Sequence, residues 1–159
     1  MKSISELVIE VCKKGEKMKQ ILMSRKPQEM LNILSGKQTI IILKNVPKDF
    51  VGWVNLVCTK DTNNHLYYSS LITPNCYIAK KKIVLKAHNY LNGLVVARFW
   101  LGDNNYVVNH YNCENEVLQK GSCLSADEIR NYLGNKKHGL GLVISSLEIF
   151  AVPKEVGEF

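Results

Sequence analysis

The chain has 159 residues with 46% hydrophobic and 22% charged side chains, a balance that suits one globular domain and excludes a largely disordered chain. No apolar run approaches the roughly 20 residues needed to cross a bilayer, and the N-terminus opens on Ser, Glu and Lys rather than a secretory apolar core. A cytoplasmic protein without a membrane partner is therefore expected. The formal charge is +7 and unevenly placed: residues 1–86 hold 15 Lys/Arg against 6 Asp/Glu, and residues 87–159 hold 6 against 8. Such an asymmetry suits a polyanion or an acidic protein surface, and it also suits a solvated lysine-rich face.

In chain order, Ser3 and Glu6 form a capping box, and Ile4, Leu7, Val8, Val11 and Cys12 recur at helical spacing, which predicts an amphipathic helix over 4–14 stopped by Gly15. Gln20–Ser24 reads as a short strand. Pro27 stands where a helix begins and Gly36 where it ends, with Met30, Ile33 and Leu34 on its inner face. The β-branched run Thr39–Leu43 is too apolar for a surface strand and predicts a central one. Further strands are expected at Gly52–Thr59, Leu66–Ser70, Ile83–Leu85, Gly93–Leu101, Tyr106–Val108 and Val143–Phe150, separated by Asn, Asp and Gly turns. A second capping box, Ser125 with Glu128, predicts a late helix through Ile129, Tyr132 and Leu133 that stops at Gly134. Many strands and few short helices favour a mainly β, α+β fold with a closed sheet.

Five cysteines, Cys12, Cys58, Cys76, Cys113 and Cys123, include no CxxC pair, so reduced thiols are expected. His110, Cys113 and Cys123 resemble half of a zinc site, but a second close ligand pair is missing, and no metal is expected. GxSxG, P-loop, GxGxxG and HExxH patterns are absent, and no cofactor is expected. The histidines, His65, His88, His110 and His138, stand beside no nucleophile motif, which leaves no catalytic residue to name, while a ribonuclease site, which needs only scattered Lys, His and Tyr side chains, stays open. Lys80-Lys81-Lys82 is the densest basic run, readable as a solvated tip or a phosphate contact.

The segments Met23-Ser-Arg-Lys-Pro27, Ile33-Leu-Ser-Gly-Lys-Gln-Thr39 and Lys44-Asn-Val-Pro-Lys48 are similar, in order and spacing, to the opening signature of ASCH-domain proteins, a branch of the PUA-like barrels. Val51–Lys60, Asn92–Phe99 and Leu124–Ile129 resemble later elements of that family. Ile144–Phe150, with Pro153 and Phe159, resembles the ending of small phage members. The likeness spans 20–159 and leaves 1–19 as an extension. It implies a small β-barrel with short peripheral helices and a groove for nucleic acid beside the motif Thr39. Lys37 and Lys44 would lie in that groove, with Arg25, Lys26 and Lys48 continuing its positive field. Trp53 would stack a base or pack inside the sheet.

The departures are equally informative. The hydrolase branch of the family removes an acyl group from acetylated cytidine, using a Lys and a Thr that are Gln38 and Ile41 here. Glutamine is no base and isoleucine no nucleophile, so that chemistry does not carry over. Leu43, Leu142, Val143 and Ser146 replace other polar or aromatic family positions. Two functions follow. One is a noncatalytic module for RNA or another single-stranded nucleic acid. The other is a phage or mobile-element module that binds and inhibits a host nucleoprotein or defence complex, for which the apolar replacements argue.

Overall fold

The run Ile40–Leu43 is buried along its whole length in a computed structural model of the chain, and it divides two apolar clusters. The structure describes residues 8–11, 20–45, 50–69, 75–82 and 88–159. The strands are β1 (Val8–Val11), β2 (Gln20–Arg25), β3 (Ile40–Leu43), β4 (Gly52–Cys58), β5 (His65–Ser69) and β6 (Cys76–Ala79). They continue as β7 (His88–Tyr90), β8 (Val95–Leu101), β9 (Tyr106–Asn109), β10 (His138–Val143) and β11 (Ser145–Lys154). The helices are α1 (Pro27–Leu34), α2 (Glu116–Ser122) and α3 (Ala126–Leu133). The strands form three sheets, ordered β1-β2-β4-β8-β11, β3-β10-β9 and β6-β5-β7. The fold is mainly β with three short α-helices, but the described strands do not close into the expected barrel.

Alternation along β3 explains the two clusters. Ile41 and Leu43 join the main core with Ile21, Met23, Val54, Leu56 and Phe99 of the large sheet and Met30 and Ile33 of α1. Ile40 and Ile42 face the other way, against Val108, Leu118, Ile129 and Leu133. Both faces of β3 are thus buried, which is why its sequence does not alternate. Ile41, Leu43 and Leu142 are at most 1% exposed. They are core side chains and offer no docking surface, so the argument from them for a protein partner does not stand.

Helix α1 begins at Pro27 and buries the expected Met30, Ile33 and Leu34, and Gly36, at φ +80°, turns the chain away. The capping box of α3 is present, with Ser125 Oγ accepting from Glu128 N and Glu128 Oε1 accepting from Ser125 N.

Three expectations are corrected. Val8–Val11, expected within a helix, is a strand paired antiparallel with β2 from Val8↔Met23 to Val11↔Gln20. Its β-branched residues suit a strand, and the edge of β2 left open by β4 supplies backbone partners that override the helical spacing. The rest of 4–14 lies outside the described residues, as does the Ile83–Leu85 strand. The expected strand Val143–Phe150 straddles the last residue of β10 and the first part of β11, because the chain changes sheets at Ile144, whose N–H donates to Thr39 O at 2.9 Å. Finally, α2 was not expected. Gly121 and Ser122 weaken its sequence signal, yet a Cβ at Gly121 would stand 2.5 Å from Ile40 Cδ1, so close packing requires the glycine.

Candidate functional site

Arg25 is the last residue of β2, and one helical turn beyond it α1 presents Glu29. The Arg25 side chain is only 3% exposed. Its Nη1 donates to Glu29 Oε2 at 3.2 Å and Oε1 at 3.4 Å, its Nη2 approaches Met23 Sδ at 3.4 Å, and its Nε has no hydrogen-bond partner. Gln38, also buried, donates through Nε2 to Glu29 Oε2 at 3.1 Å and to Ile40 O at 3.0 Å. One carboxylate therefore holds both a buried guanidinium and a buried amide. The loop between α1 and β3 is fixed by Gln38 N donating to Asn32 O at 2.9 Å and Thr39 N to Gly121 O at 2.8 Å.

These residues wall a cleft of about 490 Å³ between α1 and the α2–α3 connection, lined also by Lys26, Ser122, Cys123 and Tyr132. Its volume is that of a small-molecule pocket. Cys123, at φ +60°, ends α2 in the left-handed region, and its Sγ donates to Lys37 O at 3.5 Å. Tyr132 also reaches the end of β3: its hydroxyl accepts from Lys44 N at 3.1 Å, and Lys44 Nζ lies 4.9 Å from its ring centroid.

Of the residues expected to share one groove, Arg25 and Lys26 meet in this cleft. Lys37 is exposed on the loop beyond α1. Thr39 lines a separate hollow of about 370 Å³ with Ile40, Tyr106 and Val117. Lys44 lines another, across the Tyr132 wall. Lys48 lies outside the described residues. Trp53 sits on β4, half-buried, edge-on to Trp100 with centroids 5.3 Å apart and under Arg98 at 3.9 Å. Arg98 in turn pairs with Glu148 at 2.7 Å. That packing occupies Trp53 away from the cleft. The half zinc site is also dispersed: His110 Nε2 lies 2.9 Å from Gly134 O, Cys113 is buried with Sγ 3.4 Å from His110 O, and Cys123 turns to Lys37. Lys80 donates to Asn64 Oδ1 at 2.6 Å and Lys82 lies 4.6 Å over the Tyr90 ring, beside β6 and β7, which pair on opposite sides of β5.

Glu29, Ser122 and Tyr132 were not singled out for the site from sequence. The Arg25–Glu29 spacing of four residues was a usable signal, whereas Ser122 and Tyr132 reach the cleft only through the packing of α2 and α3 on β3.

The elements define a mainly β module with a cleft where its helices meet its sheets. The chain is similar in structure to the ASCH protein of Zymomonas mobilis, at TM-score 0.56 with 11% identity over 87% of this chain and 75% of that one. Two point variants of that protein match at 0.56 and 0.57, with the same identity and coverage of 77% and 75% of their chains. The fold is of the ASCH type. No family model and no curated relative matches the sequence. Among the described residues, no helix is long and apolar enough to cross a membrane.

Proposed function

We propose that the chain is a noncatalytic nucleic-acid-binding module of ASCH type that admits one unpaired nucleotide of an RNA, or of another single strand, into the cleft of Arg25, Lys26 and Glu29. The observation that carries this reading is a cleft of small-ligand volume whose wall carries the exposed Lys26 beside the partly exposed Glu29 carboxylate. An unpaired base offers acceptors to Lys26 and donors to the remaining lone pairs of Glu29, which Arg25 holds in place, the kind of edge recognition that single strands permit. The +7 charge supports the same class of partner. The noncatalytic part of the reading rests on Gln38, held by Glu29, and on the fully buried Ile41. The test is anisotropy with a labelled single-stranded RNA, using wild type and Asn131→Trp, which places bulk at an exposed position on the cleft rim. Wild type should bind with an affinity that falls as salt rises, and the variant should bind weakly with an unchanged unfolding midpoint. Failure of wild type to bind would end this reading, and equal binding by the variant would move the site out of the cleft.

One observation favours the second reading, a module that binds and inhibits a host nucleoprotein or defence complex. Tyr106, Val107, Tyr111 and Val117 are exposed large apolar side chains clustered in sequence from β9 to α2, with Tyr111 96% exposed. Capture of a host complex with nuclease present, lost on Tyr111→Asp, would favour it. Capture that nuclease abolishes would favour nucleic acid.

A further inference from the structure

The ladder between β3 and β10 joins two segments that lie far apart in the sequence. Leu140 pairs with Leu43, so the residues entering β10 lie opposite the residues leaving β3. Lys44 consequently shares a hollow of about 470 Å³ with Lys136, Lys137 and His138, and among the described residues Asn135, Gly139 and Leu140 complete its lining. Lys136, Lys137 and His138 are exposed, while Lys44 is half-buried and held by Tyr132. Lysines just past a helix also complement its C-terminal dipole, and Lys136 N does donate to Leu133 O at the end of α3. That explanation does not cover Lys44, which belongs to another strand and converges on the same hollow.

Tyr132 links this hollow to the cleft, since its side chain lines the cleft while its ring and hydroxyl hold Lys44. We infer that the groove of Lys44, Lys136, Lys137 and His138 carries the phosphodiester backbone of a single strand whose neighbouring base enters the cleft across Tyr132. This rests on the nucleic-acid reading above and extends it to a two-part site. Duplex does not suit the arrangement, because a paired base cannot leave its stack to enter the cleft without being flipped out. RNA and single-stranded DNA share the backbone chemistry and are distinguished by the test.

Lys136→Gln/Lys137→Gln removes two cations. For a single strand each phosphate contact contributes about 0.7 to the slope of log affinity against log salt. The double variant should therefore lower the slope by about 1.4, weakening binding about sixtyfold at 50 mM salt and about tenfold at 200 mM. Lys60→Gln/Lys154→Gln makes the same charge change at exposed positions elsewhere and should stay within about twofold of wild type. Anisotropy is measured with labelled oligouridylate, oligothymidylate, a duplex and polyglutamate, after thermal unfolding has shown both variants folded. Equal weakening in the two variants, or no weakening in either while wild type binds, would overturn the groove and leave the cleft reading standing. Equal binding of duplex or polyglutamate would overturn the single-strand assignment. No binding by wild type to either single strand would overturn both. A preference for oligouridylate over oligothymidylate, with the same salt signature, would assign the groove to RNA, and the reverse preference to DNA.

Discussion

Glu29→Ala removes the one carboxylate bonded, among the described residues, to the buried Arg25 guanidinium. In wild type Glu29 accepts from Arg25 Nη1 at 3.2 and 3.4 Å and from Gln38 at 3.1 Å, while the Met23 sulfur is the other described side-chain group bonded to the guanidinium. Removing one partner of a buried pair costs about 3–5 kcal/mol, because the remaining charge is stranded. The Glu29 side chain is 28% exposed, so water can partly take its place, and the loss should lie near the lower end, about 3 kcal/mol. The better helix propensity of alanine returns only a few tenths. With a urea slope of about 2 kcal/mol/M, the unfolding midpoint should fall by about 1.5 M. Arg25→Met/Glu29→Ala should then be more stable than Glu29→Ala alone, since it also removes the stranded charge and puts a side chain of similar length beside Met23. Because the pair is buried, the loss should persist in high salt. A midpoint for Glu29→Ala within about 0.25 M of wild type, or a double variant that loses the sum of the two single losses, would refute this account of the cleft.

Three further outcomes are expected. Gly139→Ala would drive a Cβ into Leu43 O across the β3–β10 ladder and should cost about 1–3 kcal/mol in urea unfolding, whereas Gly157→Ala, with nothing near its Cβ, should change little. The Cys58 thiol is pushed up to about 12 by burial and then by the Asp61 charge, and burial pushes Cys76 up to about 11, from an ordinary value of 9.0. Both raised values favour the protonated folded state, so their stabilisation is complete below pH 9 and lost as pH rises from 9 towards 11 and 12. Unfolding free energy should fall over pH 9–10.5, and Cys58→Ala should reduce that slope by up to about 1.4 kcal/mol per pH unit; an unchanged slope would contradict it. The purified protein should not deacylate acetylated cytidine, since Gln38 is bound to Glu29 and Ile41 is in the core, and turnover above a blank would overturn this.

Local signals were legible where the chain itself supplies the determining groups. Pro27 and Gly36 bracket α1, Ser125 and Glu128 cap α3 reciprocally, and the unbroken apolar run of β3 announces burial on both faces, as each is found. Tertiary structure decided what depends on groups distant in sequence. The open edge of β2 made Val8–Val11 a strand against its helical spacing, and Ile40 made room for α2 only at a glycine. The candidate site divides in the same way. Arg25 and Lys26 could be named from their segment, but Tyr132 and Ser122 enter the cleft through helices more than 80 residues further on. Lys136 and Lys137 lie in the half of the chain without a basic excess, and only the antiparallel register of β3 with β10 brings them to Lys44. That register is fixed only when the apolar faces of two strands far apart in sequence pack into the same cores, so no spacing within either segment could have disclosed it.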